Sequence, residues 1–157
     1  MEDAGGVESQ LARVGLVNDS GNVLLECWVA PDAPVTDYRT RFSGVREADL
    51  VGACSSDHVR ATVRGLLRGR VLVGHALAND LAVLQQHEHE LELGDVRDTA
   101  AYLPLCNARG KPRKLKHLAK EVLGASIQGG EHSPVEDARA ALYIYLQLAH
   151  QWEASLR

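Results

Sequence analysis

The sequence predicts an α/β layered domain with an antiparallel portion at its start. Three observations predict it. Two runs of strand formers, LARVGLV (11–17) and NVLLECWVA (22–30), flank the strong turn Asn18-Asp19-Ser20-Gly21. Beyond them, short apolar runs alternate with segments of helical period. The 157 residues, 45% apolar and 24% charged, suit one folded domain with a real core, and neither a repeat nor an internal linker interrupts them.

Taken in order, residues 1–10 are polar and contain glycine, and read as a frayed leader. The β-hairpin follows. Residues 31–45, PDAPVTDYRTRFSGV, form an irregular connection with two prolines. Val59, Val63, Leu66 and Leu67 fall at helical spacing, which predicts a helix over 57–69. RVLVGH (70–75) is a buried strand, residues 76–87 return to helical period, and GDVRDT (94–99) is another short strand. A basic amphipathic helix is expected over 113–123, with Leu115 and Leu118 turned inward. The last helix, about 134–152, aligns Leu142, Tyr145, Ala149 and Trp152 on one stripe. The domain therefore runs over 11–152, with 153–157 as a tail.

Composition narrows the function classes. Three cysteines at unrelated spacings do not form a disulfide framework or a zinc knuckle, and they fit a reducing, intracellular setting. Cys27, Cys54 and Cys106 read as small buried hydrophobes, and Trp28 and Trp152 as core or interface residues. No apolar run reaches membrane-spanning length, and no signal peptide is evident. A net charge of −4 means that any nucleic-acid binding must come from a local patch or from metal ions. The segment Lys111–His117 is the main basic run, either a phosphate-tracking surface or a solvated helix face. His87 and His89 read as an exposed helix end.

The start of the last helix is chemically odd. Ser133 is a good N-cap, Pro134 suits the first helical position, and Glu136 completes an S-x-x-E capping box. The two flanking positions that usually form a hydrophobic staple hold His132 and Asp137 instead. Asp80 raises the same question on helix 76–87, where it points with the stripe of Ala76, Leu77, Val83 and Leu84. An ionised carboxylate on a buried face is costly unless something pairs with it. Two acids from two helices could share a divalent cation such as Mg²⁺ or Mn²⁺. His132, beside Asp137, could then deprotonate a water held by that cation. Singly, each residue also has a plain reading: Asp137 as an acid favoured by a helix N-terminus, and His132 as part of a loop.

GHALANDL (74–81), VRDT (96–99) and IQGGEHSPVEDARAAL (127–142) resemble the DEDDh family of 3′–5′ exonucleases. The similar branch is that of RNA exonuclease 4 and the interferon-stimulated 20 kDa exonuclease, which LARVGLVNDSGNVL and VTDYRTRFSGV also resemble. The resemblance extends from Leu11 to about Trp152. It implies a ribonuclease-H-like fold, a mixed five-stranded sheet flanked by helices. It also implies hydrolysis of 3′-terminal phosphodiesters of RNA or single-stranded DNA by two Mg²⁺ or Mn²⁺ ions. On this resemblance Asp80 is the second-motif acid, Asp137 the last acid and His132 the base. Arg39 resembles a residue that contacts the terminal nucleotide, and His75 lies near the same pocket. A nuclear location is implied by the resemblance alone.

One departure stands out. The family's first motif, a D-x-E pair on the central first strand, has no counterpart among the residues before Leu11, where Glu2-Asp3 has the wrong order and spacing. Without that strand, the 11–17 and 71–74 strands each lose a neighbour. The expectation is a chain shortened at its N-terminus and impaired in catalysis. The alternative is a pseudo-exonuclease that binds nucleic acid or protein without cutting.

Overall fold

The computed structural model describes residues 10–84 and 91–157. The hairpin forms as expected, from β1 (Arg13–Val17) and β2 (Val23–Trp28), with a register shift between Leu16 and Val17. Its turn is built by Asn18, whose Oδ1 accepts from the Ser20 and Asn22 N–H groups at 3.0 and 2.9 Å. Gly21 supplies the positive φ of 80° that closes it. Outside the turn, the Arg13 guanidinium lies 4.5 Å from the Trp28 ring centroid and pairs with Glu26 at 2.6 Å.

The irregular connection contains one helical turn, α1 (Thr40–Ser43), and a 3₁₀ turn at Glu47–Leu50. Helix α2 (Ser56–Leu67) is capped by Ser55 and buries Val59, Val63 and Leu67, one side chain per turn. Strand β3 (Val71–Gly74), helix α3 (Leu77–Val83) and strand β4 (Asp95–Asp98) make a parallel unit, with Val71 opposite Asp95 and Gly74 opposite Asp98. Helix α4 (Leu115–Leu118) widens into a π turn (Ala119–Leu123) that stops at the left-handed Gly124. It starts later than its basic flank suggested, so Arg113 precedes it. Leu115 and Leu118 do turn inward.

Helix α5 (Pro134–Ser155) runs past the expected boundary. Glu153 holds the extra turn in place. Both its carboxylate oxygens accept from the buried Arg97 of β4, at 2.6 and 2.9 Å, and Oε1 also accepts from the Tyr145 hydroxyl. Trp152 is core, stacked on Tyr102 with centroids 3.9 Å apart. The expectation of buried cysteines fails: Cys54 is exposed, and Cys27 and Cys106 are half-buried. Cys54 sits on the loop before α2, where its backbone bridges to Val29 and its thiol meets that of Cys27 on β2 while staying open to solvent.

Among the described residues, the two larger apolar clusters flank the strands. One joins β1, α2, β3 and α3 through residues such as Val14, Val63, Leu72 and Leu81. The other joins α4 and α5 through Leu115, Leu118, Ala140 and Ile144. Strand β1 meets the start of α5 at close range: a Cβ on Gly15 would lie 2.9 Å from Pro134 Cβ and from the Val135 nitrogen. Only glycine permits that approach, and the approach sets where Asp137 stands.

Among the described residues the sheet is in two halves, β1–β2 and β3–β4, with no ladder joining them. The free edges of β1 and β3 both line a cleft of about 1090 Å³. No described helix is long and apolar enough to cross a membrane.

Candidate active site

The cleft between β1 and β3 gathers most of the candidate residues. Asp80, Asp137, His75 and His132 all line it. Four elements deliver them: α3, the start of α5, the end of β3 and the loop before α5.

The start of α3 is set by an acid from the neighbouring strand. Asp98, at the end of β4, accepts from the N–H groups of Ala76, Leu77 and Ala100 at 2.8, 3.0 and 2.8 Å. These bonds satisfy orphan donors of the helix N-terminus and hold Ala76 at a left-handed φ of 58°. Sequence reasoning gave Asp98 no role. Its one visible signal was a carboxylate at the carboxyl end of a predicted strand.

Asp80 stands one turn into α3. The expected buried face is in fact the wall of the open cleft, and Asp80 keeps exposed surface there. Protein atoms still crowd its carboxyl. Lost hydration first, then the negative charges of Asp98 and Asp137, push its pKa up to about 6. No cation is paired with it among the described residues. A raised carboxylate opposes folding once ionised. Between the usual aspartate range and about pH 6 the folded chain holds more protons than the unfolded one, so stability falls as pH rises and the penalty is complete above that. Asp80→Asn is therefore expected to raise the thermal midpoint at pH 8 and leave it unchanged at pH 4. Equal midpoints at pH 8 would mean that the cleft solvates the carboxylate fully.

Asp137 is half-buried, and desolvation raises its pKa as well, against the pull of Gln128, His132 and His75. Its Oδ1 accepts from Gln128 Nε2 at 2.8 Å, and its Oδ2 lies 3.9 Å from His132 Nδ1. The staple positions do meet. Ser133 caps the helix as expected, accepting from the Glu136 N–H, though at 3.5 Å. The loop carrying His132 is clamped from the α1 side. Arg46 forks onto the Glu131 carboxylate, and Gly44 leaves just enough room for the Glu131 side chain.

His75 follows β3. The Thr99 hydroxyl gives its proton to the Gly74 carbonyl at 3.1 Å, so its 2.9 Å contact with His75 Nδ1 requires the ring to donate from Nδ1. That leaves Nε2 as the ring's other nitrogen. Burial lowers the His75 pKa, opposed by Asp98, the Arg113 backbone and Asp137.

Arg39 is not brought into this group. It is exposed, sits at a left-handed φ of 48° before α1 and is not among the cleft-lining residues, where Ser43 and Val45 represent its segment. From the basic run, Lys114 and Lys116 line the cleft, while Arg113 pairs with Glu121. His87 and His89 lie outside the described residues. Gln128, like Asp98, was missed by sequence reasoning. Its only signal was a glutamine placed just before Gly129-Gly130 at the cap.

Could these residues hold a divalent cation? Two crowded carboxylates with no lysine or arginine paired to them among the described residues, on the cleft that His75 and His132 also line, form a hard-donor pair that a cation would relieve. No group of three or more potential ligands occurs among the described residues. Mg²⁺ is commonly held by one or two carboxylates and keeps several waters, so the pair fits it.

Comparisons with known proteins place the chain in a family and a fold. The family model described as Exonuclease (RNase_T) matches residues 6–145. RNA exonuclease 4 of Cryptococcus neoformans is 46% identical over 153 residues, which is 96% of this chain and 36% of that protein. The human RNA exonuclease 4 is 39% identical over 154 residues, 97% of this chain and 36% of that protein. The chain thus spans about a third of the length of the curated relatives it matches. Among solved structures, the Neurospora crassa Pan2 catalytic unit superposes with a TM-score of 0.79 at 22% identity, covering 93% of this chain and 25% of that one. The Saccharomyces cerevisiae Pan2 pseudoubiquitin hydrolase–RNA exonuclease module in complex with AAGGAA RNA gives 0.78 at 30% identity, with the same coverage. The fold is that of ribonuclease-H-like exonuclease domains.

Proposed function

The chain belongs to the exonuclease family whose model spans its residues 6–145, and from that premise we propose that it is a 3′–5′ exonuclease domain acting on single-stranded RNA. The observation that carries this reading is the gathering of Asp80, Asp137, His132 and His75, from four separate elements, on one cleft. The relatives named RNA exonuclease 4 and the Pan2 modules in complex with RNA support RNA as the polymer.

In this reading Asp80 and Asp137 hold Mg²⁺ or Mn²⁺. Such a cation, when bound, supplies positive charge for the scissile phosphate and lowers the pKa of a coordinated water. His132 accepts the proton from the attacking water, with the Asp137 carboxylate 3.9 Å from its Nδ1. His75, its tautomer fixed by Thr99, faces the reacting end of the strand. Lys114 and Lys116 on the cleft wall offer phosphate contacts along the RNA backbone. A contact of Arg39 with the terminal nucleotide belongs to this reading on the family resemblance alone, since Arg39 lies outside the cleft lining. A nuclear location belongs to the same reading, on the family resemblance alone.

A second reading has a specific observation behind it. Among the described residues, Asp80 and Asp137 are the two acids that share the cleft with His75 and His132; Asp19 lines it from the hairpin turn, and Asp98 is committed to backbone N–H groups. The family resemblance calls for four. A cleft that binds RNA without cutting it would follow. One experiment separates the two: 5′-labelled single-stranded RNA is incubated with Mg²⁺ or Mn²⁺ and the chain, alone or extended by an N-terminal D-x-E strand. Stepwise shortening from the 3′ end supports the exonuclease. Binding without shortening by either form supports the second reading, and internal cleavage excludes both.

A further inference from the structure

We infer that Gln128 is a positioning residue that fixes which oxygen of Asp137 faces a divalent cation. The inference rests on the reading of Asp137 as a cation ligand and goes beyond it by naming the group that aims that ligand.

The first observation is a backbone conformation in an unexpected place. Gln128 adopts a left-handed φ of 56°, a region costly for a residue with a Cβ. Gly129 and Gly130 follow at once, have open space around them, and do not take that conformation. Local propensity would put the left-handed residue on either glycine. The chain instead puts it on the one residue here with a long side chain. Strain of this kind persists where the surroundings over-determine it, and it clusters at functional sites.

The second observation is what the strain achieves. Gln128 is half-buried on the cleft wall, and its Nε2 donates to Asp137 Oδ1 at 2.8 Å. Oδ2 is left toward His132, 3.9 Å away. The two carboxylate oxygens therefore have different duties: one is held by the amide, the other stands on the side of the base. A lysine or arginine in place of Gln128 would also grip the carboxylate, but it would neutralise the charge a cation needs. A neutral amide orients the carboxylate and leaves that charge in place. Hydrogen-bonded partners behind a ligating carboxylate are a general requirement of metal sites, and losing one typically weakens metal affinity about 10–100-fold.

Gln128→Gly separates positioning from structural support. It removes the amide and also releases the left-handed strain, so the thermal midpoint should hold or rise while Mn²⁺ affinity falls about 10-fold or more. Gln128→Asn, which tolerates the backbone but is one methylene shorter, should fall between the two. Mn²⁺ binding to the full chain is read directly from the loss of the free-ion paramagnetic resonance signal, with Asp137→Asn as reference. Affinity that drops in Asp137→Asn but not in Gln128→Gly overturns the inference and leaves the cation reading standing. Mn²⁺ binding indifferent to Asp137, or absent from the chain, overturns both. Weaker binding accompanied by a lower midpoint in Gln128→Gly assigns the residue to structural support and overturns the inference.

Discussion

Replacing Asp137 by Asn is expected to lower 3′-end shortening of RNA by roughly 10³-fold or more, measured in a chain carrying a D-x-E strand. The effect should be chemical and not structural. Asparagine matches aspartate in shape, so the close approach of Gly15 to Pro134 is undisturbed. The Ser133 cap remains, and an asparagine Oδ1 can still accept from Gln128 Nε2. The lost group is a half-buried carboxylate that desolvation already disfavours, so the thermal midpoint should stay level or rise. Ligands acting as a unit on one reacting centre fail together, which is why one substitution costs so much. Circular-dichroism melting alongside a time course on 5′-labelled RNA checks both halves. Retained shortening in Asp137→Asn would remove Asp137 from the site. A collapsed midpoint would make it a structural acid of the helix N-terminus.

Much of this arrangement was legible in the sequence, for local reasons. The hairpin was readable because Asn18 and Gly21 impose their turn within a few residues. Helices α2 and α5 were readable from periodic apolar residues and, for α5, from the Ser133-Pro134 start. His132 and Asp137 stood out because they occupy positions where the capping motif wants apolar side chains. Asp98 and Gln128 were not legible. Asp98 acts on N–H groups up to 22 residues away, through the register of two parallel strands. Gln128 acts through a left-handed backbone that neighbouring glycines should have taken instead. The Arg97–Glu153 pair spans 56 residues and moved the end of α5 past its predicted limit. Asp80 was legible as an anomaly but misjudged in its surroundings. Helical period says which way a side chain points, not whether the facing layer is solid or open.

That open layer leads to the second large effect. A version of the chain extended at its N-terminus by an apolar strand carrying D-x-E should melt about 10 °C higher and shorten RNA roughly 10³-fold faster than the chain itself. The stability gain has an identifiable source. Among the described residues, β1 and β3 each present one unpaired edge to the same cleft, and Gln10 Nε2, buried beside it, has no hydrogen-bond partner. A strand seated there pairs both edges at once and covers side chains such as Val71, which is now 49% exposed. A handful of backbone bonds at about 1 kcal/mol net each, with the added apolar burial, amounts to several kcal/mol. The rate gain has a different source, two further carboxylates delivered beside Asp80 and Asp137. The two gains can therefore be pulled apart. An N-x-Q version of the same extension should keep the higher midpoint and lose the activity, and a Gly-Ser extension of equal length should give neither. Hydrogen exchange at the amides of β1 and β3 locates the strand, since only pairing there slows them. If the D-x-E and Gly-Ser versions melt together, the cleft is not a strand site. If the D-x-E version is stabilised and still fails to shorten RNA, then a complete sheet and four acids are not sufficient, and the cleft is a binding surface.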